Sequence, residues 1–417
     1  MHYLRRLLRI APILATTTGA FAQSAWDVVP WVNAAQAANL SSMQWTGSQS
    51  VAVGWRSKDT TGVIVTSPDG KTWTPRASGT KSFLHSLAWT GSQLVAVGGP
   101  TDNASGGSTI LTSPDGITWT KRALDSTNVL YSVVWTGSQL VAVGGPPLSG
   151  SGNAAILTSP DGITWTSRNG NAALFNKLLA EVTWTGTRLV AVGSPGAVFT
   201  SPDGIDWTPM DSGLKLDLAS VTWTGTQLVA VGDSGTVLTS PDAVTWTPRT
   251  SGTRNYLTSV AWTGSQLVSV GVKGDLLTSL DGQTWTTDNF NVAASALKVV
   301  WVNHRLITLF LVANYFLTSP DDPTAISAPM ARGGDGLSLR VAASRLFVTL
   351  PIQRDRAARA AIYGIAGGKV ADVPLREKGN GGSRETEVPI DGLARGLYLF
   401  RLEGPAAAIS RPFVVAP

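Results

Sequence analysis

The fold of this chain is decided by a ten-residue phrase, whose clearest copy reads Trp89-Thr90-Gly91-Ser92-Gln93-Leu94-Val95-Ala96-Val97-Gly98. Versions of the phrase occur seven times, each beginning at one of the tryptophans Trp45, Trp89, Trp135, Trp184, Trp223, Trp262 and Trp301. A second phrase, Ser-Pro-Asp-Gly-x-Thr-Trp, follows the first six copies and ends at Trp73, Trp119, Trp165, Trp207, Trp246 and Trp285. Seven units of about forty residues have the period of four-stranded β-propeller blades.

Each unit divides into four short strands. In the second unit, residues 84–89, 93–97, 109–112 and 117–120 are rich in Val, Leu, Thr and Trp and are separated by Gly, Pro and Asp turns. This composition is typical of β-strands, and no stretch has a helical period. One blade cannot bury both of its faces alone, so the sequence predicts an all-β protein with seven blades packed in a ring.

The last unit lacks the closing tryptophan after Ser319, Pro320 and Asp321, while Trp26 precedes the first unit. We therefore expect residues 24–29 to supply the outer strand of the seventh blade. Joining the first and last segments in one sheet would hide two edges that otherwise invite aggregation.

Composition limits the chemistry of the chain. It has 44 Gly, 16 Trp and no Cys among 417 residues, which excludes disulfides and thiolate chemistry. The net charge of +5 comes from the first residues and from the C-terminal tail, so the central region is close to neutral. The sequence therefore indicates no nucleic-acid partner, and it indicates no cofactor and no metal.

The ends of the chain carry separate signals. Arg5, Arg6 and Arg9 precede a short apolar stretch and Ala20-Phe21-Ala22, the pattern of a cleaved secretory signal over residues 1–22. No later segment is long and apolar enough to cross a bilayer, so we expect no transmembrane segment in the mature chain. The propeller is predicted over 23–326, a Pro/Ala/Gly-rich linker over 327–336, and a second domain over 337–417.

The second phrase resembles the Asp-box, or BNR, repeat of sialidases, of some other glycoside hydrolases and of the photosystem II assembly factor family. It is one residue shorter than the usual box between Asp and Gly, and Ala243 and Leu280 are further departures. The resemblance is specific for a propeller but not for an activity. Six copies of one turn are expected of a folding motif, so we assign a structural role to Asp69, Asp115, Asp161, Asp203, Asp242 and Asp281.

The tail resembles the C-terminal sorting domain of the type IX secretion system. The resemblance is carried by Ile362-Tyr363-Gly364, by 390–402 and by a basic last strand at 410–415. It implies a small C-terminal β-sandwich that engages the secretion machinery, and a protein secreted from, or displayed on the outer membrane of, a Gram-negative-type bacterium. An ordinary adhesion-type sandwich is the alternative.

Binding residues are expected where the repeat varies. The loops between the second and third strands are longer in blades 1 to 3, as is the link from blade 3 to blade 4. Variable loops on a rigid scaffold commonly bind ligands, although tolerated insertions look the same. The candidates are Trp55, Arg56, Lys58, Asp102, Asn103, Asn153, Phe175 and Lys177.

A second candidate site lies on the innermost strands. Three residues before each anchor tryptophan stand five serines, broken by Glu181 in the fourth unit and Lys298 in the seventh. Two charges at a position that is otherwise serine could form a site in the central channel, or could meet only water there.

The sequence offers no convincing catalytic set. The Phe/Tyr-Arg-Ile-Pro segment of sialidases is absent, and only His85 and His304 remain after export. We therefore predict a secreted or surface-displayed, non-catalytic propeller that recognises an extracellular glycan or protein through the loops of blades 1 to 3. A degenerate Asp-box glycoside hydrolase and an assembly or scaffold factor remain the alternatives.

Overall fold

The computed structural model describes residues 27–30, 38–56, 59, 61–100, 107–122, 128–146, 152–290, 294–303, 305–311 and 315–319, together with seven strands of the tail. The predicted leader and linker lie outside these residues. The chain divides into two compact units, of which the first ends at Thr318 and the second begins at Ser319.

The first unit is a seven-bladed propeller, as the repeat predicts: it holds seven antiparallel sheets of four strands each. Strand β1 (Asp27–Pro30) precedes the blades. Blade 1 comprises β2 (Asn39–Trp45), β3 (Ser50–Arg56), β4 (Thr61–Ser67) and β5 (Thr74–Arg76). Blade 2 comprises β6 (Phe83–Trp89), β7 (Leu94–Gly99), β8 (Thr109–Ser113) and β9 (Thr120–Arg122). Blade 3 comprises β10 (Val129–Trp135), β11 (Leu140–Gly145), β12 (Ala155–Ser159) and β13 (Thr166–Ser167).

The remaining blades follow the same order of strands. Blade 4 comprises β14 (Leu178–Trp184), β15 (Leu189–Ser194), β16 (Ala197–Ser201) and β17 (Thr208–Asp211). Blade 5 comprises β18 (Leu218–Trp223), β19 (Leu228–Gly232), β20 (Val237–Ser240) and β21 (Thr247–Arg249). Blade 6 comprises β22 (Leu257–Trp262), β23 (Leu267–Gly271), β24 (Asp275–Ser279) and β25 (Thr286–Asn289). Blade 7 comprises β26 (Ala296–Val302), β27 (Arg305–Phe310) and β28 (Tyr315–Thr318), completed by β1.

The only helices among the described residues are single 3-10 turns at Ala172–Leu174, Asp233–Gly235 and Val272–Gly274. None of them has the length or the apolar character needed to cross a membrane.

The ring closes through the N-terminal segment. Strand β1 pairs antiparallel with β28, from Asp27 opposite Thr318 to Pro30 opposite Tyr315. The prediction that the N-terminal segment completes the last blade is therefore confirmed over 27–30, while residues 24–26 lie outside the described part of the chain.

The core lies between neighbouring blades. In β3, Val51 and Val53 pack against Leu84 and Leu87 of blade 2, whereas Ala52 belongs to the cluster shared with blade 7. The Val-Ala-Val run is buried on both faces because successive residues of a strand point to opposite sides of the sheet. The tryptophans that end the second phrase pack against these clusters.

The two faces of the propeller differ in their connections. The links between the first and second strands and between the third and fourth strands form what we call the turn face. The links between the second and third strands, and between blades, form the loop face. On the turn face, Asp115 Oδ1 accepts hydrogen bonds from the backbone N–H of Ile117 and Thr118, both at 2.8 Å. The indole of Trp119 donates to the carbonyl of Gly116 at 2.9 Å.

The second unit contains two antiparallel sheets. One consists of β29 (Ser338–Ala342), β30 (Arg345–Pro351) and β33 (Ser383–Pro389). The other, in spatial order, consists of β32 (Lys369–Val373), β31 (Arg359–Gly364), β34 (Gly396–Glu403) and β35 (Ala408–Val415). The sorting-type sandwich remains a prediction for this unit.

Candidate ligand-binding channel

The innermost strands of the seven blades surround a central channel with a volume of about 450 Å³. These strands run from the loop face to the turn face, so their first residues form the loop-face mouth. Leu178 and Tyr256 line the channel near the mouth, and Trp262 and Trp301 line it at the other end.

Every innermost strand carries a β-bulge at the same place. In blade 2 the pairing with β7 shifts between Leu84 and Ser86, so His85 is the extra residue. We call this the bulge position; its members are Ser41, His85, Tyr131, Ala180, Ala219, Thr258 and Leu297. A bulge interrupts the alternation of a strand. Consecutive residues such as His85 and Ser86 therefore both line the channel.

In blades 1 to 6 the residue after the bulge joins its blade to the next. We call it the ring position. The Ser86 hydroxyl accepts the backbone N–H of Val133 at 3.2 Å, and the Ser220 hydroxyl accepts that of Val260 at 3.1 Å. Ser42 and Ser132 accept the equivalent N–H groups of Leu87 and Val182, each at 3.2 Å. The repeated serine is therefore a joint between blades.

Glu181 and Lys298 occupy the ring position in blades 4 and 7. One oxygen of Glu181 accepts the N–H of Val221 at 3.1 Å, as serine does in other blades. Its other oxygen pairs with the Lys298 ammonium, 117 residues away in sequence. Both side chains are largely shielded from solvent, at 17% and 24% exposure. The alternative that these charges meet only water is therefore wrong, because each is the other's partner.

Blades 1 to 3 give the loop-face mouth an aromatic wall. Trp55 stacks on Phe83 with ring centroids 5.1 Å apart and an interplanar angle of 22°. The ring centroid of His85 lies 5.7 Å from that of Trp55 and 5.2 Å from that of Tyr131. Trp55, His85 and Tyr131 all line the channel. Desolvation lowers the pKa of His85 to about 4, so its ring is neutral at physiological pH.

Blades 4 and 5 present small apolar residues to the channel. Blades 4 and 5 carry Ala180 and Ala219 at the bulge position, and both residues line the channel. The bulge position is therefore asymmetric, with rings in blades 2 and 3 and methyl groups in blades 4 and 5.

The loop candidates are scattered. Trp55 and Arg56 were expected in a loop, but they belong to strand β3, and this expectation is wrong. Strand β3 extends beyond Gly54 because its end pairs with β4 and Trp55 is buried against Phe83. Arg56 pairs with Asp59 at 3.0 Å. Lys58, Asp102 and Asn103 lie outside the described residues.

Two other loop candidates stand on the link into blade 4, and a third on the loop of blade 3. Phe175 is 64% exposed, and Lys177 donates to the carbonyl of Pro195 at 3.3 Å. Asn153 is exposed. The structure therefore brings Trp55 to the channel with Glu181 and Lys298, whereas Phe175 and Asn153 offer exposed contacts on the loop face.

Two residues of the aromatic wall, His85 and Tyr131, were not among the predicted binding residues. Strand alternation assigns only every second residue to the channel, and a bulge breaks that rule. The available signal was that the residue before the ring position varies between blades while its neighbours repeat.

The described part of the chain contains no group of three or more His, Asp or Glu side chains that could hold a metal ion. Among the described residues that line the channel, Glu181 is the one carboxylate.

The fold and the channel define a seven-bladed β-propeller. No family model and no curated protein sequence matches the chain. Solved structures do. YCF48 from Cyanidioschyzon merolae is 18% identical, with a TM-score of 0.56, and the match covers 71% of this chain and 98% of that one. A structure of YCF48 bound to D1 peptide is also 18% identical, with a TM-score of 0.57 and coverage of 74% and 98%.

A third structure is a catalytically inactive virginiamycin B lyase from Staphylococcus aureus with quinupristin. It is 9% identical, with a TM-score of 0.58, and the match covers 70% of this chain and 98% of the lyase. Likeness at these identities extends to the fold alone, since one fold hosts many functions.

Proposed function

We propose that this chain is a non-catalytic binding propeller, secreted or displayed at the bacterial surface, whose ligand is an extracellular protein or glycan. The ligand binds on the loop face, at the mouth of the channel. The proposal includes an Asp-box identity for the six turns, export directed by residues 1–22, and a type IX sorting role for 337–417.

The observation that carries the proposal is that both oxygens of the Glu181 carboxylate already have bonding partners. Glycoside hydrolases ordinarily use two carboxylates, one as acid and one as base or nucleophile. The described lining of the channel offers one, and that carboxylate already pairs with Lys298 and holds Val221. The glycoside hydrolase alternative therefore has little support, whereas an aromatic mouth is typical of a binding site.

A protein ligand is supported by the likeness to YCF48, which has been solved with a D1 peptide. The peptide is bound by YCF48, and a protein partner of this chain is our proposal. A glycan is supported by His85 and Tyr131 of the aromatic wall, because half-buried rings provide flat apolar surfaces beside hydrogen-bonding groups.

The test is a screen of the purified full chain on glycan and peptide arrays, with two matched variants. Phe175 is exposed on the loop face and Ile163 is 49% exposed on the turn face. We expect Phe175→Ala to weaken binding by roughly tenfold, the loss of one well-buried anchor, and Ile163→Ala to leave it unchanged.

Loss of binding in Ile163→Ala alone would move the ligand to the turn face. Cleavage of an array glycan by the unmodified chain but not by Glu181→Gln would replace the binding role with a hydrolase.

A further inference from the structure

Two tiers of side chains line the channel, and together they indicate which kind of ligand it can bind. The upper tier is the aromatic wall at the loop-face mouth. The lower tier is the ring position, where Ser42, Ser86, Ser132 and Lys298 follow one another around blades 1, 2, 3 and 7 and all line the channel. Glu181 completes this tier in blade 4.

The lower tier is rich in donors. The hydroxyls of Ser42, Ser86 and Ser132 each accept an N–H from the next blade, which leaves the hydroxyl hydrogen able to donate. The Lys298 ammonium has three hydrogens, of which one faces Glu181. Glu181 keeps lone pairs for a donor besides Val221 and Lys298.

The charges of this tier cancel. A ligand carboxylate that reached Lys298 would also meet Glu181, and a ligand cation that reached Glu181 would meet Lys298. Either one would have to compete with an ion pair that is already formed and largely shielded. A neutral ligand with many hydroxyl groups avoids this cost and can both donate and accept.

From these observations, and resting on the proposed binding function, we infer that the channel mouth binds a neutral sugar residue. The apolar C–H face of the sugar ring packs on the half-buried rings of His85 and Tyr131, with the buried Trp55 beside His85, and its hydroxyls bond the ring position. The cavity of about 450 Å³ is within the range of roughly 300–1,000 Å³ that small-ligand sites occupy.

Two serines provide a matched pair for the test. Ser86 and Ser220 make the same joint to the next blade, at 3.2 Å and 3.1 Å. Ser86 lines the channel, whereas Ser220 is fully buried and is absent from the lining. Replacing either by alanine removes one equivalent structural bond, but only Ser86→Ala removes a donor that a ligand can reach.

The experiment is calorimetric titration of the full chain with maltose, cellobiose and lactose, and with glucuronate and glucosamine as charged sugars. We expect at least one neutral disaccharide to bind more tightly than both charged sugars. Ser86→Ala should weaken that binding by roughly 3- to 10-fold, the loss of one hydrogen bond. Ser220→Ala should bind like the unmodified chain while its melting temperature falls at least as much as that of Ser86→Ala, because its bond is the more buried.

The inference is overturned if no neutral disaccharide binds at millimolar concentration, if a charged sugar binds best, or if both serine variants lose affinity equally. An array peptide whose binding depends on Ser86 would also overturn it. That last result would leave the proposed binding function standing, because the ligand would be a protein at the same mouth.

Discussion

A single aspartate organises each turn of the turn face. The backbone N–H groups of Thr118 and Ile117, followed by the hydroxyl of Ser113, bond to Asp115 and hold its pKa below the usual 3.8. Donors aimed at a carboxylate favour its ionised form. The equivalent aspartates of the other five turns also have lowered pKa values.

These aspartates make the free energy of unfolding depend on pH. The pKa of Asp115 is lower in the folded chain than in the unfolded chain, so its stabilisation is fully present above about pH 4 and is lost as the pH falls through the folded pKa. Asp115→Asn should lower the urea midpoint at pH 7, and the difference from the unmodified chain should shrink as the pH falls below about 4. Asp206→Asn, at an exposed aspartate beside another turn, controls for the loss of one charge. An Asp115→Asn deficit that is constant with pH would contradict this role.

Ala243 stands where the other five turns have glycine. Its φ of 65° lies in the left-handed region that favours glycine. A Cβ added to Gly162 would lie 3.1 Å from the Gln93 amide nitrogen. At Ala243 the neighbouring blade has Arg188 in place of this glutamine. The Arg188 guanidinium donates to the carbonyl of Asp242 at 3.0 Å. The two departures from the repeat, Ala243 for glycine and Arg188 for glutamine, therefore occur at the same contact between blades 4 and 5.

At the scale of strands, the glycine of Val-Ala-Val-Gly lies against the bulge of the strand beside it in blades 1 to 6. A Cβ on Gly98 would come within 1.8 Å of the Phe83 carbonyl oxygen, and one on Gly144 within 1.9 Å of that of Val129. No side chain fits such a gap in these two blades, whereas blade 7 keeps the same bulge with Phe310 at the equivalent position.

Strand β1 closes the ring, and its loss should open blade 7. Deleting residues 23–30 removes the four pairs between β1 and β28. At about 1 kcal/mol for each ladder bond, we expect the melting temperature to fall by roughly 5–10 °C. Calorimetry of the deleted chain measures the fall.

A synthetic peptide of the deleted sequence should restore part of the lost stability, because strand pairing does not need a covalent link. An unchanged melting temperature after the deletion would refute the closure.

At the scale of the whole molecule, the ion pair of Glu181 and Lys298 connects blade 4 to blade 7 through the channel. Blade 7 is the closing blade. Its Lys298 ammonium has no acceptor atom, so it cannot accept a backbone N–H of the next blade as the serines do. We expect Lys298→Ser alone to destabilise the chain by about 1–3 kcal/mol, because Glu181 is left shielded without its cation.

The double variant Glu181→Ser/Lys298→Ser restores the residue of the other five blades and should recover most of that loss. Urea unfolding of the two single variants and the double variant gives the coupling energy, expected at roughly 0.5–3 kcal/mol. Additive effects of the two substitutions would mean that the pair does not couple the blades.

Much of the fold was predictable because the repeat is local and occurs seven times. The site was predictable in part: Glu181 and Lys298 stood out as departures from serine. Their mutual contact was not predictable, since it joins residues 117 apart and depends on how blades 4 and 7 face each other. His85 and Tyr131 were missed because a bulge breaks strand alternation, and Trp55 was placed in a loop because β3 is longer than the repeat indicates.

The sequence by itself determined the number of blades, the four strands of each and the use of the N-terminus to close the ring, because short-range patterns of turns and apolar residues encode these features. Only the tertiary structure decided which residues meet in the channel. Closing the ring brings one position of every blade to a common axis, and there side chains from distant units become neighbours.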